Sequence, residues 1–368
     1  MPAADKIAVQ VDGRDLILTN LAKVLYPAAG FTKAEVLDYY QRISVVLLPH
    51  VVGRPMTLKR YPDGVGGESF FAKHAPAGRP DWVRTEEITS SSSRSRSPGE
   101  PIEYVVLDDL PTLMWAANLA ALELHVPMWR FPRRQSGHVL GAAPEHGLEP
   151  DLLVFDLDPG APANIVDCCR VAEALRPVLA DADLDALPKT SGGKGLQLYA
   201  RISGMTAEQA SALAKDFAER LEHDLPELVV SRMTRSLRPG KVLIDWSQNN
   251  GSKTTIAPYS LRAREHPTAS APVTWDEVAA CRDVSDLFFT ATDVLARVEE
   301  HGDLFGALTG QRLGRPRRGA RPSAAARRRQ AWRCRRSWCR GPSPRTPPAR
   351  PTRTAGQAPL VQGRARRA

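Results

Sequence analysis

The segment Asp151–Gly160 reads DLLVFDLDPG and joins a short apolar run to an Asp-x-Asp motif and a Pro-Gly stop. The apolar run predicts a buried β-strand, and the Pro and Gly predict its end. Residues i and i+2 of a strand share a face, so Asp156 and Asp158 are predicted to point the same way, with Leu157 in the core. Adjacent carboxylates repel each other unless a cation neutralises them, and Mg²⁺ or Mn²⁺ prefers oxygen ligands. A plain strand-end turn is the alternative interpretation.

Two further residues bear on this hypothesis. Asp245 ends another apolar run, KVLIDW, and on a neighbouring strand it would complete a site for two divalent cations. Taken alone, Asp245 is interpreted as a solvated acid at a strand end. His125 lies in the apolar segment LELHVPMW and, taken alone, is interpreted as a core histidine.

Two Gly-containing segments predict contacts with phosphate. KTSGGKGLQLY offers backbone N–H groups, the Ser191 hydroxyl and the Lys194 cation within five residues, although its spacing is not that of a Walker loop. NNGSKTTIAPYSLRAR joins a turn to Lys253, Arg262 and Arg264. Each segment also fits a solvated turn without a bound anion.

Near the N-terminus, basic and aromatic residues flank a turn. RPMTLKRYPDGVGGESFFAK places Lys59 and Arg60 before the turn and Phe70 and Phe71 after it. Aromatic rings beside cations suit stacking on bases while the cations hold the nucleic-acid backbone. Strand alternation predicts that one of the two Phe residues lies in the core.

The charge is divided unequally along the 368 residues. The net charge is +9, but residues 311–368 contain eighteen Arg and no Lys, Asp or Glu, so residues 1–310 carry +9 minus 18, or −9. The Arg, Pro and Ala content predicts a disordered tail over 311–368, because too little apolar surface is present to offset the ordering entropy. DNA binding and a translated shifted reading frame are two explanations of this tail.

The remaining 1–310 segment predicts one mixed α/β domain. No signal peptide or apolar membrane span is recognised, so a cytoplasmic, nucleoid-associated protein with no membrane contact is expected. Apolar spacing predicts four helices and four strands. The helices are Lys33–Leu48, Leu113–Leu124, Ile165–Leu179 and Ala207–Leu221, and the strands are Arg54–Lys59, Leu152–Leu157, Gly195–Ala200 and Lys241–Trp246.

In their order along the chain, these segments resemble the polymerase domain of bacterial ATP-dependent DNA ligase D, of the archaeo-eukaryotic primase superfamily. The likeness runs from about residue 15 to residue 305 through LTNLAKVLYP, RPMTLKRYPDG, FFAKHAP, LELHVPMWRF, VFDLDPG, KTSGGKGL, SLRPGKVLIDWSQNNGSKTTIAPYSLR and HPTASAPVTWDEV. The resemblance implies a primase-polymerase core with flanking helices. It also implies Mn²⁺- or Mg²⁺-dependent nucleotidyl transfer, often favouring ribonucleotides, in non-homologous end joining of double-strand breaks. Gapped DNA, DNA ends with a 5′-phosphate, nucleoside triphosphates, Ku and a separate ATP-dependent ligase are the implied partners.

The resemblance also assigns roles to residues. The metal site is implied to consist of Asp156, Asp158 and Asp245, with His125 near the metal or the nucleotide. The nucleotide is implied to meet Ser191, Lys194, Gln197, Gln248, Lys253, Arg262, Lys59 and Arg60. The DNA is implied to meet Lys23 and Lys33 at its 5′-phosphate and Phe70 or Phe71 at the template.

The sequence departs from the family pattern at two points. Gln197 occupies the place of a common His after the Ser-Gly loop, and Gln carries no charge, so weaker triphosphate binding or a lower rate is expected. No K-x-D-G ligase motif is present, which predicts a stand-alone polymerase or a fragment. A catalytically weak DNA-end-binding scaffold and a metal-dependent phosphohydrolase are the alternative functions.

Overall fold

The structure is a computed structural model that describes residues 5–89, 101–131 and 149–309. The strands are Lys6–Val11 (β1), Arg14–Thr19 (β2), Val24–Tyr26 (β3), Phe31–Thr32 (β4), Pro55–Arg60 (β5), Phe70–Ala72 (β6), Thr85–Thr89 (β7), Pro101–Val106 (β8), Ala121–Val126 (β9), Leu152–Pro159 (β10), Leu187–Thr190 (β11), Leu196–Arg201 (β12), Val229–Val230 (β13), Val242–Asp245 (β14) and Thr255–Ile256 (β15). The α-helices are Lys33–Val51 (α1), Leu110–Asn118 (α2), Ile165–Ala180 (α3), Ala207–Asp224 (α4), Trp275–Ala280 (α5) and Ala291–His301 (α6). The predicted tail, and with it the predicted boundary after residue 310, lies outside the described residues.

Two sheets form the framework. The first has the strand order β11-β12-β10-β14-β13, and its only parallel pair is β13 with β14. The second has the order β15-β9-β5-β8-β7, with β6 paired to β5. The mixed α/β fold with flanking helices is therefore confirmed. No helix of the described ranges is long and apolar enough to cross a membrane.

The two faces of β10 have different neighbours because side chains alternate along a strand. Leu153, Phe155 and Leu157 lie in one core cluster with apolar residues of α3 and α4. Val154, on the opposite face, packs in a second cluster that includes Tyr199. Asp156 and Asp158 continue that second face beyond the core, so their shared orientation follows directly from the strand register.

The helices that cover β10 begin at strong local signals. Asn164 caps α3 and Thr206 caps α4. In return, the side chain of the third helical residue, Asp167 or Gln209, accepts a hydrogen bond from the backbone N–H of the cap residue. Apolar residues at helical spacing then face the sheet. These helices and strand β10 match the predicted elements to within a few residues.

The predicted helix Leu113–Leu124 is wrong in its second half. Helix α2 ends at Asn118, Ala120 adopts a left-handed φ of 56°, and Ala121–Val126 forms strand β9. The strand lies in the sheet interior between β5 and β15, and nearly all of its side chains are buried. The alternation L-E-L-H-V is short and follows the apolar residues of α2 with no Gly or Pro between them, so helical apolar spacing continues to Leu124 and conceals the strand.

Candidate active site

Three carboxylates converge where β10 and β14 pair. Asp156 lies directly opposite Asp245 in the antiparallel register, a position that places the two side chains on the same face. Asp158 follows two residues further along β10, on that face. Burial, and then the neighbouring Asp158, raises the pKa of Asp156 above its usual range. The fold therefore holds negative charges together that repel each other.

The Asp245 carboxylate is held by neighbours on its own chain segment. Its Oδ1 accepts from Ser247, its Oδ2 accepts from Gln248 Nε2 at 2.8 Å, and Lys253 donates to the Ser247 hydroxyl. Only 9% of Asp245 is exposed, so its interpretation as a solvated acid is wrong. Gln248 and Lys253 accordingly lie beside Asp245, and neither is among the residues that line the cavity described below.

Asp156 and Asp158, but not Asp245, line a cavity of about 350 Å³. That volume is within the ~300–1,000 Å³ of small-molecule sites. Four cationic side chains also line it: Lys194, Arg238, Arg262 and Arg264. The Nε atoms of Arg238 and Arg262 are buried and lack a hydrogen-bond partner among the described residues. A cavity lined by both acids and guanidinium groups fits an anion that is bound together with a cation.

The Gly-rich loop forms another part of the cavity lining. Ser191, Lys194 and Gly195 line the cavity, and Lys194 is exposed. The N–H groups of Gly193 and Gly195 donate to Ser191 Oγ, so these two donors close the loop on itself. The loop therefore offers fewer free backbone donors than its sequence predicts, and Lys194 is its charged group at the cavity.

His125 lies at the cavity rather than in the core, which corrects the interpretation based on its apolar neighbours. Its Nε2 contacts Glu123 at 2.9 Å, and Arg262 lies 3.5 Å from the same carboxylate. Burial lowers the pKa of His125, although the Glu123 bond opposes the shift. Burial alone would disfavour ionised Glu123, but the His125 bond and the Arg262 charge outweigh it and lower the pKa of Glu123 to about 2. Glu123 thus holds two cavity residues.

Gln197 also lines the cavity, yet both ends of its amide bind protein groups. Its Nε2 donates to Asp156 Oδ1 at 2.9 Å, and its Oε1 accepts from the buried Lys189 ammonium. Only 2% of Gln197 is exposed. A direct contact between Gln197 and a nucleotide stays a prediction.

The aromatic pair lies on the short strand β6, and both rings are exposed, at 46% for Phe70 and 56% for Phe71. The prediction that one of them is core is wrong, because β6 is a three-residue edge strand rather than an interior one. Arg60 lies over Phe70, and Lys59 lies over Phe71 at 5.3 Å. The ring centres of Phe71 and His125 are 5.6 Å apart in an edge-to-face arrangement. An exposed cationic and aromatic surface therefore adjoins the cavity.

Lys23 and Lys33 lie around the start of α1. Lys23 is exposed and pairs with Asp63 at 2.7 Å. Lys33 is 5% exposed and donates to the Thr19 carbonyl at 2.7 Å. Burial, and then the charge of Lys23, lowers the pKa of Lys33 to about 8. The two cations are near enough to repel each other, and neither lines the cavity.

Acids on paired central strands of a mixed sheet beside a basic cavity are compatible with the class of polymerases and primases. Residues 32–305 match the family described as LigD, primase-polymerase domain. The chain belongs to this family. A primase-polymerase domain is a nucleotidyltransferase kind of enzyme.

Known relatives agree with this assignment. The multifunctional non-homologous end joining protein LigD of Mycolicibacterium smegmatis is 44% identical over 292 residues, which are 79% of this chain and 36% of that protein. The bifunctional non-homologous end joining protein LigD of Bacillus subtilis is 31% identical over 78% of this chain and 43% of that protein. The chain thus spans less than half the length of these relatives. The polymerase domain from Mycobacterium tuberculosis ligase D, solved in complex with DNA, superposes with a TM-score of 0.71 at 43% identity and covers 80% of this chain and 98% of that one.

Sequence reasoning missed three residues of the site: Glu123, Lys189 and Arg238. Glu123 carried a usable signal, since E-x-H on one strand places its carboxylate on the same face as the imidazole. Arg238 lies in a loop that contacts Gly160, and Lys189 is buried within β11. Neither position is visible without the tertiary arrangement.

Removing the Glu123 charge is expected to destabilise the protein. Glu123→Gln leaves Arg262 partly buried without its ion pair, a change that costs about 3 kcal/mol or more for a buried pair. The pKa of Glu123 is depressed, so the wild-type advantage is present above pH 4.5 and is lost as the pH falls toward 2. Urea unfolding at pH 7 and pH 3.5 measures it. Glu103→Gln, which breaks a more exposed pair with Arg79, is the control, and equal losses in the two variants would contradict this role.

Neutralising Asp156 is expected to stabilise the metal-free protein. Asp156→Asn keeps an oxygen that can accept from Gln197 and removes one of the repelling charges. One kcal/mol corresponds to ~2–4 °C in Tm for domains of this size. A thermal melt at pH 7 in chelator should therefore show a Tm rise of about 2 °C or more. An unchanged or lower Tm would mean that the carboxylates do not oppose one another in the folded state.

Proposed function

We propose that this chain is a metal-dependent nucleotidyltransferase that extends DNA primers and fills gaps during non-homologous end joining of double-strand breaks. The observation that carries the proposal is the single cavity in which Asp156 and Asp158 share space with Lys194, Arg238, Arg262 and Arg264. A nucleoside triphosphate bound with a divalent cation has the matching charges. Membership of the primase-polymerase family supports the same reaction.

The basic residues of the cavity are proposed to bind the triphosphate, and the acids are proposed to bind the cation. Arg262 and Arg238 line the cavity, and guanidinium geometry is well matched to triphosphate oxygens. Glu123 fixes His125 by its Nε2, which leaves Nδ1 as the imidazole nitrogen that can meet substrate. Because the charged groups are held by the fold, substrate alignment requires little reorganisation at the moment of reaction.

The carboxylates suit a divalent cation. Asp156 and Asp158 would hold it, and Asp245 would join them on turning from Ser247 and Gln248. Within residues 5–89, 101–131 and 149–309, no group of three or more His, Cys, Asp or Glu side chains is already arranged to hold a metal ion. The donors nevertheless fit, because they are hard oxygen ligands and burial together with their mutual repulsion raises the pKa of Asp156 and Asp158. Bound Mn²⁺ or Mg²⁺ would activate a primer 3′-hydroxyl and neutralise phosphate charge.

The surface beside the cavity suits nucleic acid. Phe70 and Phe71 are exposed, and Arg60 and Lys59 lie over their rings and supply charge there. Base stacking on such rings is tolerant of sequence, as gap filling requires. Lys23 and Lys33 are proposed to meet the 5′-phosphate across a gap. Ku and an ATP-dependent DNA ligase are the proposed partners, and the nucleoid is the proposed location.

Primer extension on gapped DNA tests the function. We expect the protein with Mn²⁺ to add nucleotides to the 3′ end, more readily from ribonucleotides than from deoxyribonucleotides, and better when the gap carries a 5′-phosphate. Electrophoresis of a labelled primer measures each comparison. The proposal would be overturned if the protein added neither ribonucleotides nor deoxyribonucleotides, with Mn²⁺ or with Mg²⁺.

A DNA-end-binding scaffold is the second candidate. It is favoured by Asp245, whose two oxygens are already engaged by Ser247 and Gln248, and by Gln197, which is bound to Lys189 and Asp156. A scaffold would bind ends with a 5′-phosphate without extending them. Gel-shift binding in parallel with the extension assay separates the two functions.

A further inference from the structure

Lys189 is an unusual residue for the interior of a sheet. It lies on β11 with no exposed surface, and burying an ammonium costs free energy unless opposite charge and hydrogen bonds compensate. Within the described part of the chain it makes no direct ion pair. It donates instead to the Gln197 amide and to Ser270 Oγ, and it lies 5.3 Å from the centre of the Tyr199 ring.

The negative charge that compensates Lys189 lies on Asp156, and Gln197 bridges the two side chains. Gln197 Oε1 accepts from Lys189, and Gln197 Nε2 donates to Asp156 Oδ1 at 2.9 Å. The amide is therefore oriented by a cation at its oxygen end and by an anion at its nitrogen end. The strand register supports this arrangement, because Gln197 lies opposite both Lys189 on β11 and Asp156 on β10.

The hydrogen bond fixes one oxygen of the catalytic carboxylate. Asp156 Oδ1 accepts from Gln197, while Oδ2 accepts no hydrogen bond from the described residues. A carboxylate held by one oxygen can offer the other to a ligand without first losing rotational freedom.

We propose that Lys189 and Gln197 are positioning residues, forming a relay that holds the Asp156 carboxylate in the orientation in which it binds a divalent cation. This inference rests on the proposed function and adds to it the device that prepares the metal site. Neither residue touches the reacting atoms. The relay also explains Gln197 in place of an imidazole: a neutral His could likewise accept from Lys189 on one nitrogen and donate to Asp156 from the other.

Binding of Mn²⁺ alone tests the relay without any need for turnover. Free Mn²⁺ is titrated by its electron paramagnetic resonance signal into the wild type, Gln197→Met, Gln197→His and Lys189→Met, with no DNA or nucleotide present. Met keeps the chain length of Gln but cannot bridge. Losing one charge-assisted bond is worth about a factor of ten in affinity.

We expect Gln197→Met to weaken Mn²⁺ binding about tenfold and Gln197→His to stay within about threefold of wild type. Lys189→Met should shift binding in the same direction as Gln197→Met, and the position-197 pair decides the matter if Lys189→Met does not fold. Tyr39→Phe is the matched control, since it removes a buried hydroxyl that donates to the Tyr259 carbonyl and leaves Lys189, Gln197 and Asp156 in place.

The opposite pattern would overturn the relay. If Gln197 only fills space, the apolar Met should be tolerated better than His, and Mn²⁺ affinity should not follow hydrogen bonding. Wild-type protein that binds no Mn²⁺ would also overturn it. Wild-type protein that binds Mn²⁺ with the expected variant order, yet extends no primer, would uphold the relay while refuting the polymerase function.

Discussion

Replacing Asp156 or Asp158 by Ala is expected to abolish primer extension while leaving the fold intact. Both side chains stand beyond the packed part of β10 on the face opposite the α3 and α4 core, so their removal leaves no cavity in that core. Without either carboxylate, the proposed cation site would lose a ligand that the neighbouring side chains do not replace. Extension of a labelled primer and a far-ultraviolet circular dichroism melt measure the two expectations.

The size of the loss in activity shows whether Asp156 and Asp158 bind the metal or only lie near it. Activity within about tenfold of wild type would contradict a metal-ligand role, because one decade is only ~1.4 kcal/mol of barrier. Asp216→Ala is the control, since that acid is exposed on α4 and lies outside the cavity lining. It should keep wild-type activity and stability.

Gly195→Ala is expected to lower activity about a hundredfold with a folded protein remaining. A Cβ at this position would stand 2.4 Å from the carbonyl oxygen of Leu157, which lies between Asp156 and Asp158 in sequence. The Ser191 loop and strand β10 must therefore separate, and a displacement of ~1 Å in an aligned site costs about 10²-fold. Steady-state extension kinetics should show the loss mainly in kcat.

A second glycine provides the comparison for this variant. Gly66→Ala adds the same methyl group where no heavy atom lies within 4 Å of it and the backbone is not left-handed. It should extend primers like the wild type. Equal activity of the two glycine variants would show that the distance between the loop and β10 is not critical for the reaction.

The sequence predicts the central strands well because their signals are local. In β10, alternation separates the acids from Leu157, and the Pro-Gly stop marks the strand end. Strand β9 was misassigned because its alternation, L-E-L-H-V, is short and follows the apolar residues of α2 with no Gly or Pro between them, so the helical apolar spacing continues to Leu124. Tertiary context overrides the local pattern there.

The acidic residues of the candidate site could be predicted from the sequence, but the residues that hold those acids in place could not. Asp156 and Asp158 follow from one motif, and their pairing with Asp245 follows once β14 lies beside β10. The partners of Gln197 could not be predicted, because Lys189 reaches it across a strand pair and reads in sequence like an ordinary lysine before a loop. Contacts across strands depend on register, which a single sequence leaves open.

The measurement that tests the central claim most directly is pyrophosphate release on gapped DNA, compared between a primer ending in a 3′-hydroxyl and one ending in a 3′-deoxy sugar. With Mn²⁺ and a templated nucleotide, we predict one pyrophosphate for each nucleotide added, and none with the 3′-deoxy primer. Replacing Asp156 by Asn should remove the signal. Pyrophosphate or phosphate released equally with both primers would identify a phosphohydrolase and contradict the account.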